Sequence, residues 1–229
     1  MNDLDGDGYA LAGLSLAADQ CEYLASSLPA LASAGRGGVR NLIFHPAVAE
    51  LLRHKKLAAC LWSAIGRDLA AVKATLFDKT PESNWHAAWH QDRVISVKER
   101  LDVGGYVAWR MKAGTLQVEP PAEVLAQMLA VRIHLDDAGA DNGPLQVIPG
   151  SHRLGKLSEA QLPRVVASRP HVEVSVPRGG FLLMRPLLIH ASPAAASAAH
   201  RRVLHIEFAP IDAISPLFWH AAVPLHRAA

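Results

Sequence analysis

Apolar residues recur at helical spacing in the first third of the chain. Three segments place apolar residues three and four positions apart, which is typical of helices that bury one face. These segments are residues 14–28, 46–52 and 57–69. Residues 1–70 are therefore predicted to be mainly helical, and the glycine-rich stretch at 35–38 is predicted to be a loop.

After residue 70 the pattern changes to short apolar runs that are separated by Pro, Gly, Asn and Asp, which is typical of strands. The predicted strands are 71–77, 86–90, 128–135, 145–148, 172–176, 181–184 and 203–209, and 120–129 is a candidate short helix. Helices followed by many short strands predict a mainly β sandwich or barrel with helices against one sheet. One domain is expected over 1–229, with a helical part at 1–70, a β core at 71–210 and a C-terminal tail at 211–229.

The last predicted strand has two chemically different faces. Alternate residues on a strand point to opposite faces of the sheet. One face is mostly bulky and apolar and is predicted to pack under helices; it consists of Arg202, Leu204, Ile206 and Phe208. The other is mostly polar and is predicted to line a wet pocket; it consists of Arg201, Val203, His205 and Glu207.

Composition narrows the function classes. The 229 residues carry a formal net charge of +2 and 19% charged residues, which is ordinary for a globular protein. No long basic run or basic aromatic stripe is present, so no nucleic-acid partner is expected. The sequence contains no apolar stretch long enough to predict a membrane-spanning helix. The N-terminus lacks the pattern of a secretory signal, and the two cysteines are predicted to be free thiols, so a reducing cytoplasm is expected.

A candidate metal site rests on His90, Asp92 and His190. Residues two apart on a strand face the same side, so His90 and Asp92 can reach one metal ion. Two imidazoles and one carboxylate form the facial triad that holds non-haem Fe(II) and leaves positions open for substrate and oxygen. A His-x-Asp pair also occurs often by chance, as a surface or strand-end pair that binds no metal. The hypothesis gains weight from Arg201, because an arginine fork suits a dicarboxylate co-substrate.

The chain resembles the phytanoyl-CoA dioxygenase family of Fe(II)/2-oxoglutarate oxygenases in three stretches. They are Trp89-His90-Gln91-Asp92, residues 141–152 (DNGPLQVIPGSH), and His190-Ala191-Ser192 followed by Arg201. The resemblance implies a double-stranded β-helix, a jelly-roll or cupin-like barrel. It also implies Fe(II) and 2-oxoglutarate as cofactor and co-substrate.

The resemblance also implies roles for individual residues. It implies that His90, Asp92 and His190 bind iron, that Arg201 binds the distal carboxylate of 2-oxoglutarate and that Ser192 assists it. Lys79 stands where family members often carry a lysine near the co-substrate. Related halogenases lack the carboxylate ligand, so the presence of Asp92 favours hydroxylation, desaturation or a related oxidation of a small molecule with O2.

Arg132 departs from the family pattern, since a member can place a tryptophan there. Arg132 and His134 share one strand face, and the opposite face is apolar, so we expect both to form a pocket wall; the alternative is an exposed polar face. Arg132 is then a candidate ligand of a co-substrate or substrate carboxylate. His134, Trp89 and His86 are candidate substrate contacts.

Two other function classes remain open. One is a metal-dependent β-barrel enzyme that does not use 2-oxoglutarate. The other is a non-catalytic metal- or ligand-binding member of the fold. The sequence does not identify the substrate, because specificity in such folds resides in loops and rim residues.

Overall fold

The computed structural model describes residues 3–29, 38–196 and 200–225. Within them the helices are short and lie mostly before the β core. They are α1 (Ala18–Ser27), α2 (Pro46–Leu52), α3 (Lys55–Ile65), α4 (Ala122–Ala126) and α5 (Gln161–Ser168). Single turns of 3-10 helix span Leu42–Phe44, Ala140–Asn142 and Ser151–Leu154.

Strands dominate the rest of the described chain. In chain order they are β1 (Tyr9–Ser15), β2 (Ala70–Lys79), β3 (Ala87–His90), β4 (Ile95–Val97), β5 (Val107–Lys112), β6 (Thr115–Glu119), β7 (Leu129–His134), β8 (Leu145–Val147), β9 (Val172–Val174), β10 (Gly180–Met184), β11 (His190–Ser192), β12 (Arg201–Ala209) and β13 (Val223–Pro224).

These strands form antiparallel sheets whose order identifies the fold. The large sheet has the order β1-β10-β7-β12-β2-β13, and the small sheet has the order β3-β11-β8-β9. A further sheet has the order β4-β6-β5. Neighbouring strands come from distant parts of the chain, as in a jelly roll. The prediction of a mainly β, jelly-roll fold with flanking helices is confirmed.

The main core lies between the large sheet and the N-terminal helices. Leu204, Ile206 and Phe208 of β12 are fully buried there. They pack in one cluster with apolar residues of the helical segment that include Leu24, Val48, Leu51 and Leu61. The alternation predicted for the last strand is therefore confirmed, and the opposite face of β12 is left to face the small sheet.

The N-terminal segment differs from the helical prediction. Residues 9–15 form an edge strand, in which Tyr9 lies opposite Met184 and Leu11 opposite Leu182. Helix α1 therefore begins only at Ala18. Pairing with β10 gives hydrogen-bond partners to the backbone groups on one side of this segment. This pairing outweighs the weak helical periodicity of its sequence.

Three more segments differ from the prediction. Residues 95–119 contain β4, β5 and β6, and residues 161–168 form α5, none of which was predicted. The predicted tail is partly built into the fold, because Trp219 is buried and Val223 pairs with Ala71. The predicted loop at 35–38 lies mostly outside the described residues.

Among the described residues, none of the helices has the length and apolar character needed to cross a bilayer.

Phe208 gives a direct test of this core. Replacing it with Ala removes a fully buried ring and should lower the free energy of unfolding by about 3–5 kcal/mol, measured by urea denaturation. Phe218, whose exposed fraction is 60%, is the matched control, and Phe218→Ala should change stability little. Equal losses in the two variants would contradict this assignment of the core.

Candidate metal and anion site

His90, Asp92 and His190 meet between the sheets. His90 ends β3 and His190 begins β11, and antiparallel pairing puts the two residues directly opposite each other. Asp92 follows β3, and its backbone N–H donates to the carbonyl of Pro186, 2.9 Å away. One ligand atom from each of the three side chains lies within 4.8 Å of the others.

Both imidazoles are oriented by backbone carbonyls. His90 Nδ1 lies 2.7 Å from the carbonyl oxygen of Ala88, and His190 Nδ1 lies 2.9 Å from that of Leu188. Because a carbonyl can only accept, Nδ1 of each ring carries a proton, which leaves Nε2 as the nitrogen that is free to bind a metal. The Nε2 atoms of His90 and His190 lie 3.9 and 3.7 Å from carboxylate oxygens of Asp92. Burial, followed by repulsion from His90, lowers the pKa of His190 to about 3, so its ring is neutral, as a metal ligand requires.

Gln91 fixes the turn that carries Asp92. Its buried side chain donates to the carbonyls of Leu187 and Gly155 over 2.8 and 2.9 Å. Its amide oxygen accepts from the backbone N–H of Leu157 over 2.9 Å. The chain is thus anchored on the far side of the His-x-Asp motif, which limits the motion of the two ligands that flank Gln91.

Three cationic side chains are buried beside the triad, on the polar face of the large sheet. Arg201 and Lys79 lie opposite each other on β12 and β2, and their exposed fractions are 2% and 1%. Arg132 of β7 has an exposed fraction of 6%. Burial lowers the pKa of Arg132 to about 10, and burial with repulsion from Arg132 lowers the pKa of Arg201 to about 9. Both arginines remain charged at neutral pH.

The two arginines lack partners that would offset this burial. In the described part of the chain, Nε and one terminal nitrogen of Arg201 and Nε of Arg132 are buried without a hydrogen-bond acceptor. A buried charge is stable only when it is paired. The arrangement therefore calls for an anion from outside the chain.

Lys79, unlike the two arginines, has hydrogen-bond partners among the described residues. Its ammonium group donates to Ser192 Oγ over 2.8 Å and contacts the carbonyl of Pro193, and Ser192 Oγ in turn donates to the carbonyl of Gly143 over 3.0 Å. Burial, with Arg201 and Arg132 adding repulsion, lowers the pKa of Lys79 to about 7. Lys79 and Ser192 thus fasten β2 to β11 next to Arg201.

Lys73, Glu207 and His205 form a row of polar side chains beside the triad. The sequence did not identify this row as a functional group, although the alternation of β12 placed His205 and Glu207 on the pocket face. Lys73 Nζ lies 2.6 Å from a carboxylate oxygen of Glu207. His205 Nε2 lies 3.7 Å from Glu207 and 3.9 Å from Asp92. The row connects the large sheet to the carboxylate of the triad.

A cavity of about 380 Å³ opens over these groups. The predicted residues that line it are His90, Asp92, His190, Arg201, Ser192, Lys79 and Arg132. Trp89, His86 and His134 lie outside its lining: Trp89 packs edge-on against His171, His86 is exposed and His134 is fully buried. Burial, with Arg132 and Arg201 nearby, holds the pKa of His134 well below its ordinary value.

Two imidazoles and a carboxylate on one side of an open cavity suit a divalent metal that must keep open coordination positions. The jelly roll carries a donor set that could hold one metal ion, with two buried arginines in the same cavity. The chain belongs to the phytanoyl-CoA dioxygenase family, whose model matches residues 4–203.

Solved structures agree with this fold. AviO1 from Streptomyces viridochromogenes Tue57 is 25% identical, with a TM-score of 0.65 over 90% of this chain and 91% of AviO1. EctD from S. alaskensis is 18% identical, with a TM-score of 0.69 over 98% of this chain and 85% of EctD. The epimerase SnoN, solved with Fe3+, alpha ketoglutarate and nogalamycin RO, is 17% identical, with a TM-score of 0.68 over 91% of this chain and 81% of SnoN. No curated protein matches the chain in sequence.

The triad geometry predicts which histidines bind metal. His90→Ala and Asp92→Ala should each abolish stoichiometric binding of a divalent ion in isothermal titration calorimetry, because each removes one of three ligands. His86→Ala removes an exposed imidazole four residues from His90 and should bind as the unmodified protein does. Metal binding that survives in both triad variants would refute the site.

Proposed function

We propose that the protein is an Fe(II)- and 2-oxoglutarate-dependent oxygenase that hydroxylates a small molecule. His90, Asp92 and His190 would hold the iron, which when bound supplies the activation of O2 coupled to conversion of 2-oxoglutarate into succinate and CO2. Family membership supports the class of reaction. The observation that carries the proposal is the buried arginine pair that lines the same cavity as the triad and lacks an anionic partner among the described side chains.

Arg201 is the proposed ligand of the distal carboxylate of 2-oxoglutarate. Its fork is buried on the polar face of β12, where a bidentate carboxylate would satisfy the nitrogens that have no protein acceptor. Lys79 and Ser192 hold the wall against which this carboxylate would lie. The co-substrate would thus be oriented by charge at one end, with its other end directed to the metal.

Arg132 is proposed to bind a second carboxylate or to complete the first. It lies directly opposite His205 in the pairing of β7 with β12, on the face that carries Arg201. Its side chain lines the cavity, which favours the pocket-wall hypothesis over an exposed face. The anion belongs either to 2-oxoglutarate or to an acidic substrate.

The enzyme hypothesis is favoured over a metal enzyme that ignores 2-oxoglutarate and over a binding module. The buried, unpaired arginines beside the triad favour an anionic co-substrate over a metal enzyme that ignores 2-oxoglutarate. Membership of an oxygenase family favours catalysis over a binding module. A screen of small molecules for iron-dependent release of succinate tests all three hypotheses. Succinate formation that needs both Fe(II) and His90 supports the oxygenase, whereas turnover without succinate supports the 2-oxoglutarate-independent enzyme.

A cytoplasmic location is also proposed. Cys21 and Cys60 are both free, and burial raises the pKa of each thiol, which keeps it protonated and unreactive. Free thiols are at home in a reducing compartment. Fractionation of the producing cells would test this location.

Arg201→Lys keeps the charge but loses the planar fork. We expect the Michaelis constant for 2-oxoglutarate to rise about ten- to a hundredfold, since each ~1.4 kcal/mol is about tenfold in affinity, while metal binding is retained. The control is Arg202→Lys, because Arg202 points to the other side of β12 and pairs with Asp136 over 2.7 and 2.8 Å. The opposite outcome, a large effect in Arg202→Lys alone, would disprove the assignment.

Arg132→Ala distinguishes the two possible anions. If Arg132 binds the substrate, substrate-coupled turnover should fall much more than uncoupled succinate release. If it binds 2-oxoglutarate, both rates should fall together. Wild-type values for both rates would show that Arg132 binds neither anion.

A further inference from the structure

A second group of cationic side chains lines the outer part of the cavity. It consists of Arg40, Arg110 and Lys112, which we term the mouth cluster. Arg110 and Lys112 are exposed and Arg40 is half-buried, in contrast to the fully buried Arg201 and Lys79. The mouth cluster therefore lies nearer to solvent than the proposed co-substrate site but opens into the same cavity.

Two separate segments assemble the mouth cluster. Arg110 and Lys112 belong to β5, and Arg40 belongs to the loop that precedes α2. The side chain of Asn41 joins these segments by donating to the carbonyl of Ala113 over 3.1 Å. Asn41 and Ala113 have φ values of 61° and 49°, so both ends of this contact hold left-handed backbone that brings Arg40 and Lys112 together.

The mouth cluster is uncompensated. In the described segments, no carboxylate lies within ion-pair distance of Arg40, Arg110 or Lys112. Other cations at the cavity have partners, such as Lys73 with Glu207 at 2.6 Å and Arg93 with Glu119 at 3.7 Å. Burial, then repulsion from Arg40 and Arg110, lowers the pKa of Lys112, as expected for a lysine beside two other positive charges.

Positive charges held together without a counter-ion favour an anionic ligand. Charges that line a cleft attract and orient ligands of opposite charge, and arginine forks match the oxygens of phosphate and carboxylate. Under the proposed function, the metal and 2-oxoglutarate occupy the end of the cavity that holds the triad. The mouth cluster remains for the substrate.

We propose that the substrate carries an oxyanion, a phosphate ester or a carboxylate, that the mouth cluster binds while the reacting carbon lies over His90, Asp92 and His190. This inference rests on the proposed function for the identity of the ligand as substrate. The anion site itself is a property of Arg40, Arg110 and Lys112.

The test is binding of inorganic phosphate, and in a parallel titration acetate, to the full chain by isothermal titration calorimetry. Saturating 2-oxoglutarate and anaerobic Fe(II) are present, so that Arg201 is occupied, and any binding at Arg132 is recognised because the mouth-cluster variants leave it unchanged. The visible charge-transfer band of the iron complex reports this loading independently. The variants are Arg110→Gln, Lys112→Gln and the double variant, and Arg53→Gln, on the helical side of the molecule, is the charge-matched control.

We expect saturable binding of at least one anion, weakened about tenfold in each single variant and further in the double variant, and unchanged in Arg53→Gln. Preference for phosphate or acetate then selects between the two kinds of substrate. An anion affinity that is the same in the unmodified protein and the double variant, or no saturable binding while the band is present, overturns the inference. Absence of the band in the unmodified protein counts against the proposed function instead, and the same titration without metal still decides whether the mouth cluster binds anions.

Discussion

The constraint on which this cavity depends is buried positive charge that finds no partner among the described side chains. Arg201 and Arg132 are removed from water on the polar face of the large sheet, and among the described residues three of their nitrogens have no hydrogen-bond acceptor, which is unfavourable unless an anion binds. Their position follows from the strands, since β12 and β7 are hydrogen-bonded neighbours. The same sheet turns its other face to the helices, and that apolar face supplies the burial that keeps the charged face in place.

The metal ligands depend on a different feature, the pairing of β3 with β11. This pairing places His90 opposite His190, and the carbonyls two residues upstream set both rings in one tautomer. Gln91 then anchors the turn from behind. The small sheet thus provides the triad and the large sheet provides the cations, so the chemistry depends on how the two sheets face each other.

The positively charged side chains of the cavity lie at two depths. The buried cations Arg201, Arg132 and Lys79 lie on strands of the large sheet, whereas the mouth cluster lies on a loop and on β5, at the edge of the three-stranded sheet. Deep charges suit a co-substrate that is the same in every turnover. Charges on peripheral elements suit recognition of a particular substrate, because such elements vary without disturbing the core.

The sequence alone determined the features that local periodicity and motif spacing encode: the two faces of β12, the proximity of His90 and Asp92, helix α2, and, through its motifs, the family. Tertiary structure decided what depends on distant pairing. Residues 9–15 became a strand only because β10 offers an edge, and the further sheet, the row from Lys73 to Asp92 and the mouth cluster each join segments far apart in the chain. Periodicity reports which face of an element is buried, but not which other element covers it, and the contacts that build this cavity are of that second kind.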